Sequence, residues 1–382
     1  MTDNIIRKPA IKIVQGAHTL YATTFTIADF QRDSLYRVNQ LDTDSSEGYQ
    51  RFLDEKRAKA LGKDLSRAAK HDEAFLPTSI LLATKGEVEY DDAAREISFS
   101  TASSSLVCPF LVVDGQHRIE GLRQFAAENP GKSVFPVAVN IITGMSMPQQ
   151  MLQFLIVNAK QRAVNPALQQ HIIKQFTEML DGEIPYLPDW VARATGKRTD
   201  KLAIDIASHL IKHNPWQGKV RRADDEKKAP GHTINEISLN RSIKEHVLSD
   251  NNPLSDEEPE IRNKILVNYW LAIESVFVAP EAGAENVDTV VYKSIGTKFF
   301  HLVSAVVIER CNNLQDYRVE AIKDIFQRAR ERMADQQYMY PAWWIAGAGA
   351  SGMNNLAITQ KSSQLSKTIR SLPIVSGGEI KI

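Results

Sequence analysis

Cysteine is almost absent from this chain of 382 residues: Cys108 and Cys311 are the only two. They lie far apart and form no CxxC pair, which argues against a disulfide scaffold or zinc ribbon and suits a reducing compartment. Net charge is absent as well, with 46 basic against 46 acidic residues. A neutral chain gives no bulk support for tight nonspecific binding to nucleic acid, so any basic surface must be assembled by folding. The opening residues Met1-Thr2-Asp3-Asn4 carry no charged segment followed by an apolar one, so no secretory signal is expected. The longest apolar stretches, such as Leu302 to Ile308, are far too short to span a bilayer. A cytoplasmic protein without membrane attachment is the expectation. No HExxH, GxSxG or paired-cysteine zinc spacing occurs, so classical protease, esterase and zinc-finger chemistry lack support.

What is present is an ordinary globular composition, 43% hydrophobic and 24% charged, long enough for a large core and either two domains or one with a helical extension. Residues 1 to about 25 read as an edge strand or arm. Leu53, Ala60, Leu61, Leu65 and Ala68 recur at helical spacing and predict a helix from about Tyr49 to Ala69. Phe75 to Thr84 reads as a strand, and alternation around Ile97 and Phe99 signals a hairpin. Pro109 to Val113 is a short buried strand that leads into a helix carrying Ile119, Leu122, Phe125 and Ala126 on one face. A strand over Val134 to Ile142 and a helix over about Met147 to Arg162 follow. Beyond Pro166 the pattern is mostly helical, including Ile261 to Val278 and Thr297 to Arg310. The expected class is therefore α+β with α/β-like alternation, a mixed-sheet core over residues 20–165 and a mainly helical region over 166–382.

The pentapeptide Asp114-Gly115-Gln116-His117-Arg118 falls at the junction of the buried strand with its helix. The first N–H groups of a helix lack intrahelical partners, and the helix dipole adds partial positive charge there. Gly115 permits close backbone approach. His117 and Arg118 add donors, and a guanidinium matches phosphate oxygens in a bidentate manner. The combination describes an anion site, suited to a nucleotide phosphate. Asp114 is open to three roles: capping the helix, orienting the histidine, or holding a metal. The bland alternative makes Asp114 an N-cap, Gly115 a turn residue, and His117 and Arg118 a solvated first turn. Asn158, Gln161 and Arg162, at i, i+3 and i+4, share one helix face and form either a second wall or a solvated helix end. Arg57 sits between Leu53 and Leu61 and is either functional or a snorkelling, ion-paired arginine. Gln50 and Arg51 read as surface or interface residues.

The string VVDGQHRIEGL resembles the defining motif of DGQHR-domain proteins, a group that includes DndB of DNA phosphorothioation systems and DpdB of deazaguanine DNA-modification systems. Gly48-Tyr49-Gln50-Arg51, Arg57, FLPTSILLAT and FLIVNAKQRAVNPALQQ resemble further landmarks of that group, as do Asn214-Pro215-Trp216 and Pro341 to Trp344. A wider resemblance links the core to the ParB/sulfiredoxin fold, in which a motif at a helix start holds nucleotide phosphates. Asn158 and Arg162 are set against the Asn and Arg of the later ENxxR motif of ParB, with Val157 at its Glu; Gln116 stands where sulfiredoxin has its cysteine, which excludes thiol chemistry there. The resemblance implies a component of a bacterial DNA-modification and phage-defence system that binds a nucleoside triphosphate, ATP or CTP with Mg2+, and leaves hydrolysis open. Asp114, His117 and Arg118 are the catalytic candidates. Gly115, Gln116, Arg118, Asn158, Gln161, Arg162 and Arg57 are the nucleotide-binding candidates. No dedicated metal ligands are assigned. DNA is the implied partner, directly or through modification enzymes, and self-association stays open. The alternative functions are a DNA-binding transcriptional regulator of such a gene cluster and an adaptor that only assembles partner enzymes.

Several weaker patterns are set aside. Gly347 to Gly352 matches GxGxxG without a βαβ setting and reads as a loop. Gly131-Lys132-Ser133 resembles the end of a P-loop, but Ala126 occupies the place of its first glycine. Asp205, His209 and His213 fall at i, i+4 and i+8, a spacing that suits metal binding but more often marks a solvated face. Acidic residues interrupt the basic run around Arg221 and Arg222, which reads as a mixed-charge loop, and Trp270, Trp343 and Trp344 read as core aromatics.

Overall fold

In the computed structural model the described residues are 4–32, 34–42, 48–50, 52–84, 88–101, 108–159, 166–179, 198–225, 229–278 and 288–373. The chain divides into two compact units, Met1–Val191 and Ala192–Ile382. The first is built on a mixed eight-stranded sheet and the second is helical, the α/β class expected from the alternation.

In the first unit the strands are β1 (Asn4–Gln15), β2 (His18–Thr26), β3 (Tyr36–Val38), β4 (Ile80–Thr84), β5 (Glu89–Asp91), β6 (Glu96–Thr101), β7 (Phe110–Asp114) and β8 (Pro136–Thr143). Their order across the sheet is β3-β7-β4-β8-β2-β1-β6-β5. β3 runs parallel to β7, and β4 parallel to β8; the other neighbours are antiparallel. The expected single edge strand over the first 25 residues is instead the hairpin of β1 and β2, and both lie inside the sheet. The turn is made by Gly16 at φ 59°, a left-handed conformation that glycine adopts freely. The expected helix from Tyr49 starts later: α2 spans Glu55–Ala69, because Asp54 caps it by accepting from the Arg57 amide at 3.1 Å.

One sheet face carries Phe25, Leu82, Phe99, Phe110, Val112, Val139 and Ile141, all buried. Helix α1 (Ile27–Phe30), α2 and α3 (Gln116–Glu128) cover it with Ile27, Phe30, Leu65, Ile119, Leu122 and Phe125. Helix α4 (Met147–Ala159) packs on β7 and on α5 (Pro166–Met179). Helices α2 and α3 cross at unusually short range. A methyl group on Gly62 would meet the Gly121 carbonyl at 2.9 Å, and one on Gly121 would meet the Ala58 carbonyl at 3.0 Å.

The second unit contains α6 (Arg198–Ile211), α7 (Glu236–Ser242), α8 (Pro259–Ile273), α9 (Ser294–Leu314), α10 (Val319–Arg332) and α11 (Asn355–Arg370). Its core is aromatic: Trp216, Trp270, Trp344, Tyr269, Phe277 and Phe300 are fully buried, as expected for Trp270 and Trp344. The mixed-charge stretch after Lys219 is partly regular, since Val220–Arg221 pairs in parallel with Ile234–Asn235. The GxGxxG glycines form a short 3-10 turn, and Gly349 lies so close to Trp343 that a Cβ would come within 2.2 Å of the indole. His209 and His213 stack at 4.2 Å, but no group of three potential metal ligands exists among the described residues. Also among the described residues, no helix is long and apolar enough to cross a membrane.

Two predictions follow from this packing. Gly121→Ala forces α2 away from α3 and should lower stability by about 1–3 kcal/mol, read from the urea midpoint. His301 is fully buried beside Ser242, whose Oγ lies 2.8 Å from its Nδ1, and burial lowers its pKa from 6.5 to about 3. The unfolded chain therefore takes up a proton that the folded chain refuses, so stability is lost as pH falls from about 6.5 toward about 3. Urea titrations across that window should give a shallower pH dependence for His301→Asn than for the natural chain.

Candidate functional site

The pentapeptide closes β7 and opens α3, and the turn between them is made by Gly115 at φ 112°. A side chain there would be strained, and its Cβ would lie 3.1 Å from Ile80 Cγ1. Gly115 is the N-cap residue and supplies no side-chain cap, so Asp114 is not the cap. Asp114 instead pairs with Arg118 one turn along. Arg118 also donates from Nη1 to the Ser79 carbonyl at 2.7 Å, and Asn140 Nδ2 donates to Ser79 Oγ at 2.9 Å. The arginine thus ties the helix start to the segment that enters β4.

His117 fixes a second junction. Its Nε2 accepts the Asp54 amide at 3.0 Å, so the ring is held neutral with its proton on Nδ1. Asp54 in turn caps the Arg57 amide. The histidine therefore anchors the first turn of α2, the turn that carries Arg57.

These elements surround a cavity of about 320 Å3. All five pentapeptide residues line it, with Arg57 and Leu61 from α2, Leu76 and Thr78 before β4, and Phe154 and Asn158 from α4. The Asn158 amide nitrogen donates to the Phe154 carbonyl at 2.8 Å, which leaves its oxygen as an acceptor. The two arginines differ. The terminal nitrogens of Arg118 are engaged by Asp114 and Ser79, whereas the exposed Arg57 guanidinium makes no ion pair or hydrogen bond among the described residues. Among the described residues, the ion-paired alternative for Arg57 finds no partner.

Gln161 and Arg162 lie outside the described residues, as does Arg51. Counted strictly, the residue three after Asn158 is Gln161, so Arg162 falls one position beyond the ENxxR register. One lining residue was misread. Gln50, expected at the surface or an interface, is 1% exposed, and its Nε2 donates to the Val112 carbonyl and, at 3.4 Å, to that of Val113. Its burial follows from the pairing of Tyr49 and Gln50 with Asn39 and Leu41, for which no local periodicity gives a signal.

The division of labour between the arginines is testable. Arg118→Ala removes both ties of a half-buried guanidinium and leaves the Asp114 carboxylate without its partner, at about 1–3 kcal/mol in urea unfolding. Arg57→Ala should stay within about 0.5 kcal/mol.

No curated protein and no solved structure matches the chain. Residues 8–171, which hold the eight-stranded sheet apart from the first four residues of β1 and all the lining residues of the cavity, match the family DndB, described as DNA-sulfur modification-associated, and it is to that family that this part of the chain is similar.

Proposed function

We propose that the chain is a component of a DNA-sulfur modification system and binds a nucleoside triphosphate by its phosphates in the pentapeptide cavity. The family match supports the first half of this reading. The observation that carries the second is Arg57: an exposed guanidinium, unengaged among the described residues, lining a cavity that the start of α3 also lines. Unengaged guanidinium and helix-start amides are the donors that phosphate oxygens seek. The volume lies near the lower end of the range for small-molecule sites, about 300–1,000 Å3. Gly115, Gln116, Asn158 and Gln50 supply the uncharged part of the wall.

In this reading Arg57 is the principal phosphate ligand. Asp114, His117 and Arg118 hold the frame, and His117 keeps a neutral ring at the edge of the site. Asp114 is the one carboxylate among the described lining residues, and it is paired with Arg118. A magnesium ion arriving with the nucleotide would therefore be held chiefly by the phosphates and water, as that ion commonly is. The ParB/sulfiredoxin-like character of the core belongs to the same proposal.

Calorimetric titration of the full chain with ATP, CTP and GTP in the presence of magnesium tests the reading, with phosphate release measured in parallel. Binding of at least one nucleotide is expected, weakened about tenfold or more in Arg57→Ala at unchanged stability. A natural chain that binds none of the three removes the proposal.

A further inference from the structure

A second cavity, of about 290 Å3, lies on the other side of α3. Gln116 lines both cavities. The first two turns of α3 therefore form a shared wall, with Arg118 in the first cavity and Glu120 and Arg123 in the second. Tyr36 and Arg37, from the edge strand β3, and Leu53 complete the part of the lining that matters here.

Two features repeat. Each cavity has one exposed arginine whose guanidinium makes no ion pair or hydrogen bond among the described residues, Arg57 in the first and Arg37 in the second. Each also has an exposed phenylalanine next in sequence to a lining residue: Phe75, 74% exposed, beside Leu76, and Phe52, 39% exposed, beside Leu53. Phe176 aside, no other phenylalanine, tyrosine or tryptophan among the described residues is exposed. Both exposed rings thus precede, by one residue, a side chain that lines a cavity.

We infer that the second cavity and the two phenylalanines form a binding track for single-stranded nucleic acid, running past the pentapeptide cavity. Unengaged arginine beside exposed aromatic is the pairing such strands require, since the cation takes a phosphodiester while the ring stacks a base. Its doubling around a common wall fits a polymer of repeating phosphate and base, whereas a lone anion would need one such pair. Glu120 accepts a bond from Gln124 at 3.0 Å and offsets one of the two arginines of the second cavity, leaving Arg37 as its unengaged cation. The inference rests on the proposed function only in placing the strand beside the nucleotide site; strand binding itself does not require a nucleotide.

The test uses the full chain and fluorescein-labelled oligonucleotides of one sequence as single-stranded DNA, single-stranded RNA and duplex DNA, with anisotropy read over a range of salt. Single strands should bind more tightly than duplex, and the comparison of DNA with RNA identifies the source. Phe52→Ala and Phe75→Ala should each weaken single-strand binding roughly tenfold. Arg37→Ala should reduce the slope of log affinity against log salt by about 0.7, the share of one phosphate. All three positions are exposed, so folding should be unaffected, and ATP binding by the variants should equal that of the natural chain. Preference for duplex, or variants that bind single strands as the natural chain does, would overturn the inference. Arg37-dependent strand binding without any nucleotide binding would sink the proposed nucleotide site alone, and the reverse result would sink the track alone.

Discussion

The close crossing of α2 and α3 is the constraint on which the site depends. Gly62 and Gly121 let the two backbones approach until a Cβ on Gly62 would lie 2.9 Å from the Gly121 carbonyl and one on Gly121 3.0 Å from the Ala58 carbonyl. That approach brings the first turn of α2 to the start of α3. His117 can then accept the Asp54 amide, and Arg57 can line the same cavity as the pentapeptide. A wider crossing would leave Arg57 on an unrelated helix face and the start of α3 without an opposing cation. The glycines carry no chemistry of their own, yet they decide whether the chemical residues meet.

Within that frame the pentapeptide is a brace. Asp114 and Arg118 neutralise one another across a single turn, and Arg118 reaches on to Ser79. A partly buried guanidinium without a carboxylate would be costly, and a carboxylate at a helix start without a cation would repel a phosphate. Pairing the two removes both difficulties and leaves the net charge of the cavity to Arg57. A site that recognises an anion through a cation on a neighbouring helix can alter its affinity by moving that helix, whereas a cation locked into its own brace cannot.

The sheet and helices around the site were largely legible because their burial is periodic. The apolar run before Asp114 and the spacing of Ile119, Leu122 and Phe125 locate β7 and α3 without reference to anything distant. The opening hairpin was not legible as two internal strands. Ile5, Ile11 and Val14 of β1 are exposed apolar residues, so alternation does not separate an inner strand from an arm, and β6 joins β1 from far along the chain. The site divides in the same way. The place of the pentapeptide followed from local pattern, but the partner of Arg118 is a carbonyl 39 residues earlier, and the amide bonded to His117 is 63 residues earlier. Gln50 was misread for the same reason. Its hydrogen-bond partner lies 62 residues away on β7, so its burial is a property of the assembled sheet edge.

Equal numbers of acidic and basic residues give no bulk support for a nucleic-acid surface, but a balance of charge is a poor guide to local sites. What attracts a phosphate is a cation with donors to spare, and a total charge does not count those. In the second unit Arg262 donates to Leu254 and Ser255, Arg310 to Leu372 and Pro373, and Arg330 to Met339 and Val276, all at backbone carbonyls. These guanidiniums hold chain segments together and offer little to a ligand. Acidic residues likewise cancel Lys8 and Arg118 where they stand. Around the start of α3, the Arg37 and Arg57 guanidiniums are left unengaged among the described residues. Two such groups contribute almost nothing to a net charge, yet they are the cations with donors to spare on the two cavities that share the wall of α3.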